Sequence, residues 1–361
     1  MRTWNPSLVA KARLSAALAL TLGASLSPAW SGVPSGESFL EVRLDSPGGS
    51  MEHAPVHSQI GGTCYAYAAG LAIDTWRAQF EPSQTFRRIN PFELALGHGQ
   101  LEYGQFRWDG TVDGGSFCAT IHYAERAGIC TLDTFPLVDD DGDRLKKLLK
   151  DIEALRVRFK KIPFWRRKKP EGLAIATQIR TRLSEFTHYR DGSTPLPDTD
   201  TILRALHMRK RDFARTLVSD PRCKDHRNHD FLLPGRCHTD LTHFEPEDKI
   251  IRRLEEGLFA PFSQPLAIAY CSKVLKEGKN YSGFSHDLRD LRIVNSTQCG
   301  GHVSLISGKR IHPTGGQLQF LVHNSWGTGC DYSADWQCEN GKIWVDADAL
   351  ARNTYGVMQL E

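Results

Sequence analysis

The chain has 361 residues, of which 40% are hydrophobic, and this is enough to bury a full core. Its 45 basic and 42 acidic side chains give a formal net charge of +3. The composition excludes a fibrous or an intrinsically disordered protein, and the length predicts two domains or one enlarged bilobal domain.

The first segment has the layout of a secretory signal peptide. Three basic residues are followed by an apolar run over 14–26 and then by small residues up to Ala29. The run is too short to stay as a membrane anchor, and no later stretch reaches about 18 uninterrupted apolar residues. We therefore expect a signal peptide at 1–29 and a secreted or periplasmic protein without a transmembrane anchor.

The segment from Cys64 to Asp74 predicts a buried helix. It contains no proline, is rich in alanine and is apolar at almost every position. Gly61-Gly62-Thr63 directly before it supplies a turn and an N-cap. The Cys64 thiol is therefore expected at a helix N-terminus, a position that lowers the pKa of a thiol.

The middle of the chain, 139–250, shows helical patterns over 145–159 and 202–217. The window 144–169 holds twelve Lys or Arg residues against two acids. Such a segment is either a solvated surface helix or a docking site for an acidic partner or polyanion. Such a polyanion would be nucleic acid, an anionic membrane or a cell-wall polymer, and binding to a specific nucleic-acid sequence is not expected.

The C-terminal third consists of short apolar or alternating runs that are separated by Gly, Asn and Asp, which predicts an antiparallel sheet or barrel. The predicted strands are 265–270, 302–306, 318–322 and 342–345. The prediction is therefore an α+β protein with a helical lobe at 30–138, a large, mostly helical and basic insertion at 139–250, and a β lobe at 251–361.

The nine cysteines make an odd count, and export places them in an oxidising compartment. Cys64 is the candidate for the thiol left out of the bridges. Short loop closure predicts Cys118–Cys130, Cys223–Cys237 and Cys330–Cys338, which leaves Cys271 to pair with Cys299. This is one choice among about 105 possible pairings of eight cysteines.

Two polar residues of the β region are candidates to act on the Cys64 thiol. His302 opens an apolar strand directly after Gly300-Gly301, so its ring can face a cleft, and Asn324 directly follows another apolar strand. Acyl transfer through a thiolate needs an activated nucleophile, a proton shuttle and a group that holds the shuttle. Cysteine, histidine and asparagine in this order supply the three groups.

Several segments resemble the motifs of papain-like cysteine peptidases. They are the nucleophile motif at 59–68, the histidine strand at 300–308, and the asparagine motif Asn324-Ser-Trp-Gly with the strand near 339–343. Gly114-Gly115 matches the glycine pair that lines the substrate cleft of that family. The resemblance covers about 64–138 and 255–350, and it implies a two-lobed papain-like fold with a helical left lobe and an antiparallel β-barrel right lobe.

The resemblance implies a role for each matching residue. Cys64 would be the thiolate, His302 its imidazolium partner, and Asn324 the residue that orients the ring, while Trp326 would shield that hydrogen bond from water. The Cys64 backbone N–H and the Gln59 side chain would form the oxyanion hole. The residues that would bind a peptide or protein substrate are Gly62, Gly114, Gly115, Gly301 and Trp326.

The sequence departs from the family pattern at two places. Gln59 lies five residues before the cysteine, whereas the family places its glutamine six residues before, where this chain has Ser58. The oxyanion donor is therefore Gln59 or, in its place, Ser58. In addition, the stretch between residue 29 and Cys64 is too short for a long inhibitory prosegment, and the insertion could cover the cleft instead.

The loop from Cys223 to His238, with His226 and His229, allows three interpretations. It could bind zinc, it could resemble the cleft-occluding loop of cathepsin B, or it could be an ordinary disulfide-closed surface loop. We expect the ordinary loop, no metal and no cofactor.

The predicted function is hydrolysis of peptide bonds by a monomeric, secreted cysteine peptidase. Two alternatives stay open at this point. One is a weak or inactive protein of the same fold that binds peptides, and the other is an amide transferase or deamidase that uses the same site.

Overall fold

The structure is a computed structural model, and it describes most of the chain from residue 41 onward. The described residues are 41–80, 88–98, 114–132, 142–167, 170–186, 189, 192, 194–208, 210–218, 223, 236–242, 245–258, 264–286, 292–294 and 299–360. The predicted signal peptide lies outside them. Within these ranges, no helix has both the length and the apolar character needed to cross a bilayer.

The helices fall into three groups along the chain. The first group surrounds the nucleophile segment and comprises α1 (Cys64–Phe80), α2 (Pro91–His98) and α3 (Phe117–Ala127). The second comprises α4 (Gly142–Lys161), α5 (Pro170–Leu183), α6 (Thr199–His207) and α7 (Lys210–Val218). The third lies among the strands and comprises α8 (Glu247–Leu258), α9 (Val274–Glu277) and α10 (Ala347–Asn353).

The strands form one large antiparallel sheet and a separate hairpin. The sheet comprises β1 (Glu41–Arg43), β2 (Cys237–Leu241), β3 (Leu266–Cys271), β6 (Gly301–Ile311), β7 (Leu318–His323), β8 (Gln337–Glu339), β9 (Lys342–Asp346) and β10 (Thr354–Leu360). Its order is β2-β10-β3-β6-β7-β9-β8, with β1 paired to β6, and the hairpin pairs β4 (Phe284–His286) with β5 (Arg292–Val294). The predicted α+β class is confirmed.

The long strand β6 changes its register against β7 partway along. Leu305 pairs with His323, whereas beyond a bulge Lys309 pairs with Phe320, which is a shift of one residue. On its other side β6 pairs with β3, where His302 faces Tyr270. This bulge decides which residues of the two strands meet at the end that carries His302.

Two groups of buried apolar side chains stabilise the chain. One joins α1 and α3 to the large sheet. Residues 64–73 of α1 are all apolar, so this helix can pack against α3 on one side and against the sheet on another. The other lies among α4–α7 and includes Ile60, Phe92 and Leu96 from the first part of the chain. The boundaries at 29, 138 and 250 stay predictions.

Most predicted elements agree with the observed ones. Helix α4 covers 145–159, and β6, β7 and β9 cover three of the predicted strands. The fourth, 265–270, matches β3 but for its first residue. The predicted helix over 202–217 is instead two helices, α6 and α7. The first ends at His207, and the next residue, Met208, has a φ of −69° and a ψ of 168°, which are extended rather than helical.

Two of the four predicted disulfides are confirmed and two are wrong. Cys271–Cys299 and Cys330–Cys338 are bonded as predicted, but Cys118 pairs with Cys237 and Cys130 with Cys223. Cys118 lies in the first turn of α3 and Cys130 lies three residues beyond its end. The helical steps from Cys118 to Ala127 alone span about 14 Å, whereas a disulfide requires Cα atoms within about 7 Å. Proximity in sequence was therefore a poor guide. Cys64 is the free cysteine among the described residues.

Candidate active site

Cys64 is the first residue of α1, as the sequence predicted, and it is 7% exposed. The turn before it depends on Gly61, whose φ of 61° is in the left-handed region that favours glycine. The Thr63 hydroxyl donates to the Ile60 carbonyl at 2.6 Å and so closes this turn. These contacts fix the position at which the helix begins.

Burial dominates the ionisation of the Cys64 thiol. Loss of solvation raises its pKa, and this outweighs the opposite effect of the backbone N–H groups of Val303, Tyr65 and Cys64 itself, which donate to the sulfur. The helix N-terminus therefore does not by itself produce a thiolate. The contact with Val303 places the sulfur against β6, next to His302.

His302 and Asn324 are joined by a short hydrogen bond. The His302 Nε2 atom lies 2.7 Å from Asn324 Oδ1, and both residues are buried. The same oxygen accepts the Ser325 backbone N–H at 2.8 Å, so Oδ1 is an acceptor. Nε2 must then carry the proton of the neutral ring, and Nδ1 is left as the acceptor.

Aromatic side chains enclose the His302 ring. Trp326 lies with its ring centroid 4.9 Å from that of His302, and Tyr270 makes an edge contact at 5.7 Å. The resulting burial lowers the pKa of His302 to about 4, although its bond to Asn324 acts in the opposite direction. At neutral pH, imidazole and thiol are both uncharged in the resting site.

A set of hydroxyl groups holds Asn324, and sequence reasoning missed it. Asn324 Nδ2 donates to the Tyr332 hydroxyl at 3.2 Å, while the Ser304 hydroxyl donates to Asn324 Oδ1 at 3.3 Å. Ser304 is itself 3.0 Å from the Tyr270 hydroxyl. The available sequence signal was Ser304, two residues after His302 and hence on the same face of β6.

Tyr355 is a further residue near the thiol that the sequence did not reveal. Burial and, to a lesser extent, the negative charge of a Cys64 thiolate raise the pKa of its hydroxyl to about 12, while the His302 backbone N–H, which donates to it, acts in the opposite direction. Gly301 lies against the same hydroxyl, since a Cβ atom there would come within 3.1 Å of it. Gly301 is exposed, which leaves this edge of the site open.

Gln59 lies beside the asparagine segment. Its side-chain Nε2 donates to the Gly61 carbonyl at 2.5 Å, and its Oε1 accepts the Ser325 hydroxyl at 2.7 Å. Ser58 forms an isolated antiparallel bridge with Trp326. Gln59 thus lies beside the candidate active site, although it is one residue closer to Cys64 than in the family pattern. Its Nε2 donor, however, is already bonded to the Gly61 carbonyl.

The glycine pair lies against the start of α1. The Gly114 N–H donates to the Gly62 carbonyl at 2.8 Å, and Gly114 has a φ of 82°. A Cβ atom on Gly115 would come within 2.5 Å of the Tyr65 ring. The structure therefore brings Gly62, Gly114 and Gly115 together next to the nucleophile, as expected for a cleft wall.

A small cavity lies on the inner side of Asn324, between α1 and the strands β6 and β7. Its lining includes Tyr67, Val303, His323 and Asn324. It has room for about one water molecule, so it does not hold a peptide side chain.

The structure does not provide the thiolate ligands that zinc binding in the Cys223 loop would need. Cys223 and Cys237 are both bonded in disulfides, and His226 and His229 lie outside the described residues. Glu93 approaches the Cys130–Cys223 pair, with its carboxylate 3.5 Å from the Cys223 sulfur. A disulfide is a poor metal ligand, so this group gives no support for a bound ion.

No protein-family model matches the sequence, and no curated protein matches it either. Solved structures with a similar fold do exist. Xylellain, a cysteine protease from Xylella fastidiosa, is 16% identical over 89% of this chain and 85% of its own, with a TM-score of 0.40. Digestive procathepsin L 3 of Tenebrio molitor larval midgut is 12% identical over 89% and 69%, also with a TM-score of 0.40.

A cysteine protease of Carica candamarcensis is 11% identical over 89% of this chain and 97% of its own, with a TM-score of 0.40. These proteins are the type that the sequence resemblance predicted. Similarity at this level concerns the fold and carries no information on activity, substrate or secretion.

Proposed function

We propose that this chain is a cysteine peptidase that hydrolyses peptide bonds through Cys64, His302 and Asn324. The observation that carries the proposal is the 2.7 Å hydrogen bond between His302 Nε2 and Asn324 Oδ1 beside a buried cysteine at a helix N-terminus. Its geometry leaves His302 Nδ1 free to accept a proton. A free thiol, a base and an orienting amide are what acyl transfer requires.

The reaction proceeds in two halves. The Cys64 sulfur attacks the peptide carbonyl carbon as its proton passes to His302 Nδ1, and the imidazolium then protonates the leaving amine. This breaks the C–N bond and leaves a thioester. Neutral His302 then takes a proton from water, and the water oxygen attacks the carbonyl carbon of the thioester. The C–S bond breaks, the carboxylic acid product leaves, and the imidazolium returns the proton to the Cys64 thiolate.

The uncharged resting pair makes His302 a general base at the moment of attack. Burial disfavours the ion pair in the absence of substrate, since it raises the pKa of Cys64 and lowers that of His302. Charge separation therefore occurs together with attack, where the backbone N–H groups of Tyr65 and Val303 support the developing thiolate. This differs from a preformed imidazolium, which the sequence resemblance implied.

Substrate and location follow from the surroundings of the site. An extended peptide would lie against Gly114-Gly115, where the absence of side chains allows two backbones to approach closely. Four disulfides among the described residues fit an oxidising compartment, in line with the predicted secretion.

A second candidate is a protein that binds peptides through the same cleft but hydrolyses them poorly. The bond from Gln59 Nε2 to the Gly61 carbonyl favours this candidate, since a donor engaged in the loop does not stabilise an oxyanion. Loss of one such donor typically lowers kcat about 10²–10³-fold. The peptidase proposal requires Gln59 to exchange this partner for substrate, or another group to replace it.

The deciding experiment compares wild type with Cys64→Ala on fluorogenic peptides under mild reduction, together with labelling by a thiol-directed epoxide. We expect turnover and labelling in wild type and neither in the variant. Thr314→Ala, in an exposed turn, serves as the matched control and should behave like wild type. Mass spectrometry of the products separates hydrolysis, which gives two fragments, from deamidation, which adds about one dalton to an uncut peptide.

A Gln59→Ala variant then tests the second candidate. If Gln59 acts as the oxyanion donor, the variant loses about 10²–10³-fold in kcat while the epoxide still labels Cys64. Folded wild type that binds peptides without turnover or labelling would exclude the peptidase and leave the binding protein.

A further inference from the structure

Two adjacent aromatic side chains are exposed at the turn between α4 and α5. Phe164 and Trp165 are each 75% exposed, more than any other large apolar side chain among the described residues. Scattered exposed apolar residues are ordinary, but an adjacent aromatic pair this open is a feature of binding surfaces. We name residues 158–167 the aromatic-basic tip.

The aromatic-basic tip has a defined conformation. Residues Phe164–Arg166 form a 3₁₀ turn, and the Arg166 N–H donates to the Pro163 carbonyl at 2.9 Å. The Arg167 guanidinium bonds the carbonyls of Ile162 and Lys160 at 2.9 and 3.0 Å. These bonds tie Arg167 back to the end of α4, so the two rings are presented outward by a structured turn.

The inner face of α4 does not need the two rings for its own packing. Leu148, Ile152 and Phe159 are buried in the second core, against Ile175 and Ile179 of α5. The helices are thus already packed against each other. Phe164 and Trp165 are not part of this core, so their apolar surface is not used in packing α4 against α5.

The tip is also strongly basic. Arg158, Lys160 and Lys161 lie in the last turn of α4 and are exposed, and Arg166 is exposed on the 3₁₀ turn, where it pairs with Glu171. The sequence adds Lys168 and Lys169, which lie outside the described residues. Exposed cations that lie within a few residues of two exposed aromatics are complementary to a surface that is anionic outside and apolar beneath.

We propose that the aromatic-basic tip docks on anionic phospholipid membranes. Aromatic rings prefer the interface between headgroups and acyl chains, and clustered Lys and Arg are attracted to anionic headgroups. Single-stranded nucleic acid is a less suitable partner, because it is usually held along a groove with rings spaced for successive bases. Here the rings are neighbours on one exposed turn between two helices.

The experiment measures cosedimentation of the purified full chain with vesicles of phosphatidylcholine, with or without phosphatidylglycerol. We expect binding only to the phosphatidylglycerol vesicles, weakening as salt is raised. Phe164→Ser with Trp165→Ser should lower the partition coefficient about tenfold or more, whereas Trp165→Phe retains it. Lys161→Glu should lower it about fivefold or more, since one basic residue contributes about that factor.

Matched controls come from elsewhere on the surface. Leu241→Ser removes an apolar side chain that is 64% exposed at the edge of the sheet, and Lys279→Glu reverses an exposed charge outside the tip. Both should bind like wild type. All substituted residues are exposed, so the fold is expected to survive, and circular dichroism checks this.

Three results would overturn the proposal. One is wild type that stays in the supernatant with phosphatidylglycerol vesicles at low salt. Another is a Phe164 and Trp165 double variant that sediments as well as wild type. The third is tighter binding of wild type to single-stranded DNA than to vesicles, lost in the Phe164 and Trp165 double variant, which would assign the tip to nucleic acid.

Discussion

His302 and Asn324 meet through a hydrogen bond of 2.7 Å, although His302 is the second residue of β6 and Asn324 follows the end of β7. Asn324 Oδ1 also accepts the Ser325 N–H at 2.8 Å and the Ser304 hydroxyl at 3.3 Å. An oxygen held in this way cannot exchange places with the amide nitrogen. The proton of the neutral His302 ring is therefore fixed on Nε2, and Nδ1 is available to the Cys64 thiol.

Replacing Asn324 tests this orienting role. Asn324→Ala should lower kcat about 10²-fold with a small change in KM. Proton transfer by a positioned side chain typically accelerates a reaction about 10²–10⁴-fold, and a ring that is no longer oriented loses part of this acceleration. Ser304→Ala removes only one of the contacts of the Asn324 oxygen and should lower kcat less. Full kcat in Asn324→Ala would contradict the role, provided that its far-ultraviolet circular dichroism matches wild type.

The resting protonation state of Cys64 can be read from its alkylation rate. Because burial raises the pKa of the thiol, the thiolate fraction at neutral pH should be lower than in a free cysteine, whose pKa is about 8.5. The second-order rate constant with iodoacetamide should keep rising above pH 9. A plateau between pH 5 and 8 would instead indicate a preformed thiolate–imidazolium pair. Glutathione under the same conditions is the reference thiol.

His323 makes stability depend on pH. Its Nε2 donates to the Pro55 carbonyl at 3.0 Å. Burial lowers the pKa of the ring to about 4; the bond to Pro55 and the charge of Asp45 oppose this, while Lys342 and His57 add to it. The unfolded ring titrates near 6.5, so it binds a proton between pH 6.5 and 4 while the folded ring does not.

Above pH 6.5, His323 therefore does not destabilise the fold. As the pH falls from 6.5 to 4, protonation of His323 in the unfolded chain lowers the free energy of unfolding by about 3 kcal/mol. His323→Gln removes this titration and should show a flatter profile in urea unfolding at each pH. The difference between the two profiles isolates His323 from other groups that titrate in this range. Parallel profiles would contradict the assignment.

Gly115 is expected to tolerate no side chain. A Cβ atom there would approach the Tyr65 ring to 2.5 Å, and overpacking of this kind costs about 1–3 kcal/mol. Because Tyr65 follows Cys64, Gly115→Ala should also slow epoxide labelling. Gly316→Ala is the control: its φ of 70° makes alanine costly, but nothing lies near the new methyl group. It should lower the unfolding midpoint in urea while labelling stays at the wild-type rate.

Much of the fold was predictable because hydrophobic patterning is local. The apolar, proline-free run from Cys64 predicted α1, and alternating runs predicted the four strands that carry or support His302 and Asn324. Helix α4 was recognised in the same way. The break at Met208 was not, because the sequence there contains neither glycine nor proline to signal it.

The disulfides and the ionisation of the site could not be predicted in this way. Cys118 meets Cys237, which is 119 residues away, because α3 packs near β2. Likewise, the sequence indicated a low thiol pKa from the helix N-terminus, whereas the surrounding protein buries the sulfur and reverses the direction. Both outcomes depend on which distant elements come together.

The sequence by itself determined the secondary structure around the site and the candidate residues Cys64, His302 and Asn324, because residue types and their periodicity act within one segment. Only the tertiary structure decided how those residues meet. Before the bulge in β6, Leu305 pairs with His323, so the next pair brings Asn324 to Ser304. Continuing the register found beyond the bulge would set Asn324 against Leu305, on the opposite face of the strand from His302. A shift of one residue turns side chains to the other face of a sheet, and it arises from pairing between strands.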